Sequence, residues 1–359
     1  MSKPFVTALI DTFNHETFIE KAIESVMRQD FPAAETEVLV VDDGSTDRTP
    51  ELIRKFAPRV RLLRKANGGQ ASAFNAAIPE ARGEIVAFLD GDDWWAPDKL
   101  TNVLEVFAGD STVGLVGHAV TQVYPNGSER TEVPREVSRF RITSAEAART
   151  FRMRRTFLGT SRMTYRREIL RQIGPIPETL KFEADEYLFT LAGFFGDVVV
   201  LPEAYTFYRI HHGNLFQVAS WSEESTRRKQ EVLAALGFAL EQKLEQLQVP
   251  SGITKTVVEC VQAEADILRL MVDSGSPWAT VRAELNILRV LHSDASFSQR
   301  LFSCARLLPA FVMPSASYYR WKHRISRLEF YKALRQKFIP FPVPSHVERH
   351  EKSAPPADV

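Results

Sequence analysis

The chain has 359 residues, 44% of them hydrophobic and 25% charged, enough apolar material for one large core or two smaller ones. Its 45 basic and 45 acidic residues cancel, which excludes a protein that works by global attraction to nucleic acid. Two cysteines, Cys260 and Cys304, exclude a disulfide scaffold or a cysteine-rich zinc site and make a reducing cytosol the default setting.

The first residues lack the apolar core and small-residue cleavage site of a signal peptide. The longest apolar runs, such as 307–313, fall short of the roughly 20 residues a membrane-spanning helix needs. In chain order, four short apolar runs at 5–10, 38–41, 60–63 and 85–89 read as strands. Between the first two, Phe18, Ile19, Ala22, Ile23, Val26 and Met27 fall on one helical face. A second helix is predicted from Thr49-Pro50, with proline in its first turn, and a third from about Gln70 to Pro79. This alternation predicts an α/β unit with a largely parallel sheet covered by helices on both faces. From Glu223 the rhythm lengthens into helical periods over 223–246, 254–273, 278–291 and 317–337. They predict a helical C-terminal region, followed by a polar tail expected to be disordered.

Ligands of such sheets sit at the carboxyl ends of the strands. Here those ends read Asp11-Thr12-Phe13-Asn14, Asp42-Asp43-Gly44-Ser45 and Asp90-Gly91-Asp92-Asp93. Alternating carboxylates leaving a strand suit a hard divalent cation with positions left for phosphate oxygens; an acidic turn before a helix is spelled the same way. A carboxylate at Asp43 could accept hydrogen bonds from a base or ribose hydroxyl, and the Asn67-Gly68-Gly69 turn allows close backbone approach to a ligand. A third acidic cluster, Glu183-Ala184-Asp185-Glu186, also suits a helix start. In Tyr208-Arg209-Ile210-His211, arginine and histidine could pair with a diphosphate. Trp94 could stack on a sugar or belong to the core. Segment 318–337 sets seven Lys or Arg against Glu329 with aromatics interleaved, which suits an anionic membrane surface or a packed, solvated helix.

Thr12-Phe13-Asn14, the run Val40-Val41-Asp42-Asp43-Gly44-Ser45-Thr46-Asp47, Asn67-Gly68-Gly69 with Asn75-Ala76-Ala77, and Phe88-Leu89-Asp90-Gly91-Asp92-Asp93 with Pro97 together resemble family 2 glycosyltransferases. The resemblance continues through Thr160-Ser161, Tyr165-Arg166-Arg167, segment 182–188 and Tyr208-Arg209-Ile210-His211, covering about 4–215. It implies a GT-A-type nucleotide-diphospho-sugar transferase fold over 1–220, with a donor-binding half at about 4–124 and an acceptor-side half at about 125–220. A helical region over 221–340 and a tail over 341–359 would follow.

The implied activity is metal-dependent inverting transfer of a sugar from a nucleoside diphosphate donor, UDP-linked, to a saccharide or lipid-linked acceptor in cell-surface glycan or polysaccharide synthesis. Its implied setting is the cytoplasm, at the inner face of an anionic membrane. Thr12 and Asn14 would line the nucleotide pocket beside Asp11 and Gly69, with Asp43 on the uracil or ribose. Asp90 and Asp92 correspond to the Asp-x-Asp element, with Asp92 and Asp93 toward Mg²⁺ or Mn²⁺. Inverting chemistry needs a base on the face opposite the leaving group, from another chain segment. That base would be Asp185, with Glu183 and Glu186 as rivals. Thr160, Ser161, Trp94, Arg209 and His211 are candidate contacts to diphosphate or acceptor.

Two residues depart from the family pattern: Asp11 replaces a usual proline and Phe74 a common arginine. They keep open a degenerate subunit or sensor that binds sugar nucleotides without transferring. A nucleotidyltransferase would need an early basic, glycine-rich phosphate loop, which Thr12-Phe13-Asn14 is not.

Overall fold

The four apolar runs form strands β1 (Val6–Thr12), β2 (Thr36–Asp42), β3 (Val60–Arg64) and β4 (Ile85–Asp90), linked by helices α1 (Ile19–Met27), α2 (Thr49–Arg54) and α3 (Gln70–Ala77). The structure, a computed structural model, describes residues 5–134, 136–211, 213–214, 222–273, 275–291, 296–326, 328 and 345–348. The strands pair in parallel in the order β3-β2-β1-β4. Side chains alternate across the pleat, so Leu9 joins Leu39 and Phe88 in one core while Ala8 and Ile10 join Val38 and Val40 in the other. α1 covers the second face with Ile19, Ala22, Ile23 and Val26, the stripe its spacing predicts. The same register places Asp11 opposite Asp90 and Thr12 opposite Asp42, bringing acidic strand ends together.

The next stretch forms β5 (Trp94–Trp95), α4 (Lys99–Gly109), β6 (Val113–Val123), β7 (Glu129–Val133), β8 (Ser138–Phe140), α5 (Ala145–Arg154), β9 (Thr164–Arg166), α6 (Arg167–Ile173), α7 (Ala184–Phe195) and β10 (Asp197–Arg209). β9 lies antiparallel between β4 and β6, and β10 runs parallel to β6, which makes the sheet mixed. β10 also pairs with β5, setting Trp94 opposite Phe207, so that its end delivers Arg209 to the strand-end acids.

Among the described residues, the helices α8 (Glu223–Gln246), α9 (Ser251–Val272), α10 (Pro277–Leu291), α11 (Phe297–Ala305) and α12 (Ser315–Ser326) follow. Ser222 caps α8 by accepting from the Ser225 N–H at 3.1 Å, and Glu223 and Glu224 complement its dipole. Leu233, Leu236 and Leu240 of α8 and Val257 and Val261 of α9 share one core with Phe151, Tyr187 and Leu191, so these helices pack directly on the α/β part. Leu270, Val281, Ala310, Tyr318 and Tyr319 form a smaller core.

That smaller core redirects the expectation for 318–337. Tyr318 and Tyr319 point inward, and Lys322 pairs with Glu284 at 2.5 Å. Arg327, Glu329, Phe330, Tyr331, Lys332, Arg335 and Lys337 lie outside the described residues. So does the 341–359 tail, except β11 (Ser345–Glu348), which pairs antiparallel with β7. Among the described residues no helix is long and apolar enough to cross a membrane.

Candidate active site

The loops after β1 and β2 are stitched together. Asn14, at φ 56°, takes a left-handed conformation that asparagine tolerates; its Oδ1 accepts from the Thr46 N–H at 2.8 Å and its own N–H donates to Ser45 Oγ at 2.9 Å. Asp43 is nearly buried. Its Oδ2 accepts from the Gly69 N–H at 2.7 Å, and its Oδ1 pairs with Lys65 Nζ at 2.7 Å. Gly69 sits at φ 85°, and a Cβ there would stand 2.8 Å from the Lys181 carbonyl oxygen. The close approach that requires glycine is therefore made by the chain's own backbone.

At the neighbouring strand ends the carboxylates crowd. Burial, then the Asp92 charge, pushes Asp11 up to about 8, and its buried Oδ1 has no hydrogen-bond partner. Asp90 is raised well above the usual range, by burial and then Asp11. Asp93 is fully buried and likewise raised, chiefly by burial. Its Oδ2 accepts from Ser161 Oγ at 2.6 Å and its Oδ1 from the Arg209 N–H at 2.9 Å. Asp93, expected at a metal beside Asp92, thus spends both oxygens on the protein.

Asp92 behaves differently. Burial would raise its pKa, but hydrogen bonding to His211 and the charges of His15 and His211 outweigh it and hold the carboxylate below its usual range. His211 Nε2 is 2.9 Å from Asp92 Oδ2, and His15 Nε2 is 3.9 Å away. Arg209 Nε donates to the Asp92 carbonyl at 2.9 Å, while its guanidinium lies 4.7 Å from the Phe18 ring and 4.6 Å from the Trp94 ring. The Trp94 ring also stacks on Phe207 at 5.2 Å and carries Lys21 Nζ at 3.3 Å, so the chain's own groups hold it against Arg209. Phe74 is fully buried edge-on to Phe88 at 5.0 Å, which explains an aromatic there in place of arginine.

Among the described residues, no three His, Cys, Asp or Glu side chains are arranged to hold a metal ion unaided. The Asp92–His211 pair, next to the unpartnered Asp11 oxygen, instead fits a divalent cation held jointly by two protein donors and phosphate oxygens.

The third acidic cluster opens α7. Asp185 Oδ2 accepts from the Thr160 N–H at 3.2 Å and from Thr160 Oγ1 at 3.3 Å. Gln70 braces this turn, donating to Thr160 Oγ1 at 3.0 Å and accepting from the Ala184 N–H at 3.1 Å. Burial, then Glu186, raises Asp185, whose own charge acts on Asp11 and Asp90. The two rivals are committed elsewhere. Glu186 is buried against Arg152 and Arg155; burial would raise its pKa, but these cations outweigh it and hold it far below the carboxylate range. Such an anion is a poor base. Both arginines continue to Glu264 of α9 at 2.8 Å. Glu183, left-handed at φ 60°, pairs with Lys229 of α8; burial pushes it up to about 8 against the opposing lysine charge.

Sequence reading missed His15, Lys65, Gln70, Lys229 and Glu264. His15 adjoins the Asn14 motif and could have been found there; the others meet the site through contacts with no local spelling.

A mixed α/β sheet with acidic residues gathered at its strand ends has the arrangement of a GT-A-type glycosyltransferase fold. Residues 7–174 match the family described as glycosyl transferase family 2. It is 32% identical over 223 residues to an uncharacterized glycosyltransferase of Nostoc sp., covering 58% of this chain and 66% of that protein. It is 38% identical over 156 residues to the chondroitin synthase of Pasteurella multocida, covering 42% of this chain and 16% of the synthase. The fold resembles that of S. aureus TarS in complex with UDP-GlcNAc, with TM-score 0.57 and 21% identity over 88% of this chain and 92% of the other. It also resembles the mannosyltransferase PcManGT of Pyrobaculum calidifontis in complex with GDP-Man and Mn²⁺, with TM-score 0.52 and 20% identity over 94% and 84%.

Proposed function

We propose that this chain is a metal-dependent inverting glycosyltransferase that moves a sugar from a nucleoside diphosphate donor, UDP-linked, to a saccharide or lipid-linked acceptor in polysaccharide or cell-surface glycan synthesis. The observation that carries the reading is the junction at Thr160-Ser161: one residue holds Asp185, the next holds Asp93 beside the Asp-x-Asp element. A proton acceptor and a diphosphate-binding centre are thereby fixed relative to each other, as displacement at a sugar carbon requires. The relatives support the donor class, since TarS was captured with UDP-GlcNAc and PcManGT with GDP-Man and Mn²⁺.

In this reading Thr12, Asn14 and Asp43, the last held by the Gly69 N–H, shape the nucleoside side of the pocket, with Asp11 and Asp90 toward the ribose. Asp92 and His211 would hold Mg²⁺ or Mn²⁺, which when bound supplies a Lewis acid that neutralises the departing diphosphate. Arg209, braced by Phe18 and Trp94, adds a fixed positive charge on the same side. Asp93 and Ser161 position this centre. Asp185 takes the acceptor hydroxyl proton as the new bond to the sugar carbon forms and the bond to phosphate oxygen breaks, inverting that carbon. The catalytic domain closes near residue 220, and α8 and α9 buttress the base.

Thermal unfolding with UDP, GDP, CDP, ADP and TDP, each with and without Mn²⁺, tests the reading. A ligand that binds the native state raises its apparent stability. One nucleoside diphosphate should raise the melting temperature with Mn²⁺ present and do so far less without it. A folded protein that responds to no nucleotide at millimolar metal overturns the proposal.

A further inference from the structure

The membrane contact expected from the 318–337 aromatics finds no support in Tyr318 and Tyr319, which are buried, yet a different face of the helical region is exposed and apolar. Trp278, Phe297, Leu301, Leu308, Phe311 and Val312 are each between 46% and 82% exposed. They lie on α10, on α11 and on the turn that follows it. Phe297 and Leu301 stand one turn apart on α11, none of whose residues is buried. That helix runs directly into the short helical turn Leu308–Phe311, and Phe311 meets the Trp278 ring at 5.6 Å. Large apolar side chains left exposed on consecutive elements mark an interaction site rather than ordinary scatter.

Charge selects the occupant. Over 277–291 and 296–326 the chain has seven Lys or Arg and a single acidic residue, Glu284, itself paired with Lys322. A second copy docked face to face would bring like charges together. We propose that this face, centred on α11, docks on an anionic lipid bilayer, with the apolar residues entering the headgroup boundary and the surrounding cations meeting lipid phosphates. The inference does not depend on the transferase reading, although a membrane-docked enzyme would meet a lipid-linked acceptor at the surface where that acceptor lies.

Co-sedimentation of the full chain with vesicles tests it, using phosphatidylcholine alone and phosphatidylcholine with phosphatidylglycerol in equal parts. Binding is expected to the anionic vesicles, to weaken with added salt, and to be lost in a Phe297→Ser, Leu301→Ser, Val312→Ser variant whose melting temperature is unchanged. Arg320→Glu with Arg324→Glu should weaken anionic binding while leaving the apolar residues intact. Equal binding to both vesicle types overturns the role of charge, and no binding at low salt overturns the proposal. A dimer in solution that the serine variant dissociates also overturns it, assigning the face to a second copy. Nucleotide-dependent thermal shifts measured on the same variants keep this outcome separate from the fate of the transferase reading.

Discussion

Ser161 Oγ lies 2.6 Å from Asp93 Oδ2, and its hydroxyl, with one proton to give, donates it there. The same oxygen accepts from the Asp90 N–H at 3.0 Å, while the Ser161 carbonyl takes Trp95 Nε1 at 3.1 Å, Lys99 Nζ at 2.9 Å and Thr206 Oγ1 at 2.7 Å. One buried residue thus ties the end of β4 to β5, α4 and β10. The geometry of the Asp-x-Asp element is inherited from this junction rather than from the loop alone.

Ser161→Ala removes the hydroxyl and strands Asp93 Oδ2 in the interior. Leaving a buried acceptor unsatisfied costs about 1–3 kcal/mol. Denaturant unfolding should show a loss of that size, and an unchanged midpoint would mean that Asp93 finds another donor.

Asp185→Asn keeps the side chain's size and its contact with Thr160 while removing the proposed base. Turnover should fall by about 10²–10⁴, the usual share of a general base, with nucleotide-dependent thermal shifts preserved. Loss of both would assign Asp185 to folding. A wild-type protein that binds nucleotide but turns over no donor would favour the sensor alternative.

The strand-end acids were legible because a parallel sheet places its ligands at the carboxyl ends, so Asp11, Asp43 and Asp90 could be read from local runs. The helices from Glu223 were legible from their period, and α8 spans the residues expected. The Asp92–His211 contact was not, since nothing in the local pattern around either residue encodes a meeting between the ends of β4 and β10. Nor was the division of labour among Glu183, Asp185 and Glu186: three neighbouring acids acquire different fates only when Lys229, Thr160 and Arg152 arrive from elsewhere. Amphipathic spacing alone did not decide between the two readings of 318–337: Tyr318 and Tyr319 turn inward, while Arg327 and residues 329–337 lie outside the described ones. The α11 face escaped notice, its apolar residues having no core to report to.

Asp11 gives stability a pH dependence of determined sign. Its folded pKa, pushed to about 8 by burial and Asp92, lies above the unfolded value near 4. Between those values the native state holds a proton that the unfolded chain has released, so stability falls as pH rises. Asp11→Asn removes this term. In ligand-free protein it should raise the melting temperature more at about pH 8 than at about pH 5. Equal effects at both would show that Asp11 is ionised in the native state.

Lys229 reaches the proposed base, Asp185, from α8. Its charge opposes the rise in Asp185 that burial and Glu186 produce, and it holds Glu183 directly. Lys229→Met should therefore move the acidic limb of the kcat/KM profile to higher pH, because Asp185 must lose its proton to act and would bind it more tightly. Glu183, already raised to about 8, can take up a proton when its partner goes, which limits the cost to folding. Lys229→Arg, keeping the charge, should restore the limb. A uniform loss of kcat with the limb unmoved would mean that α8 supports the α7 backbone and leaves the proton affinity of the base to burial and Glu186.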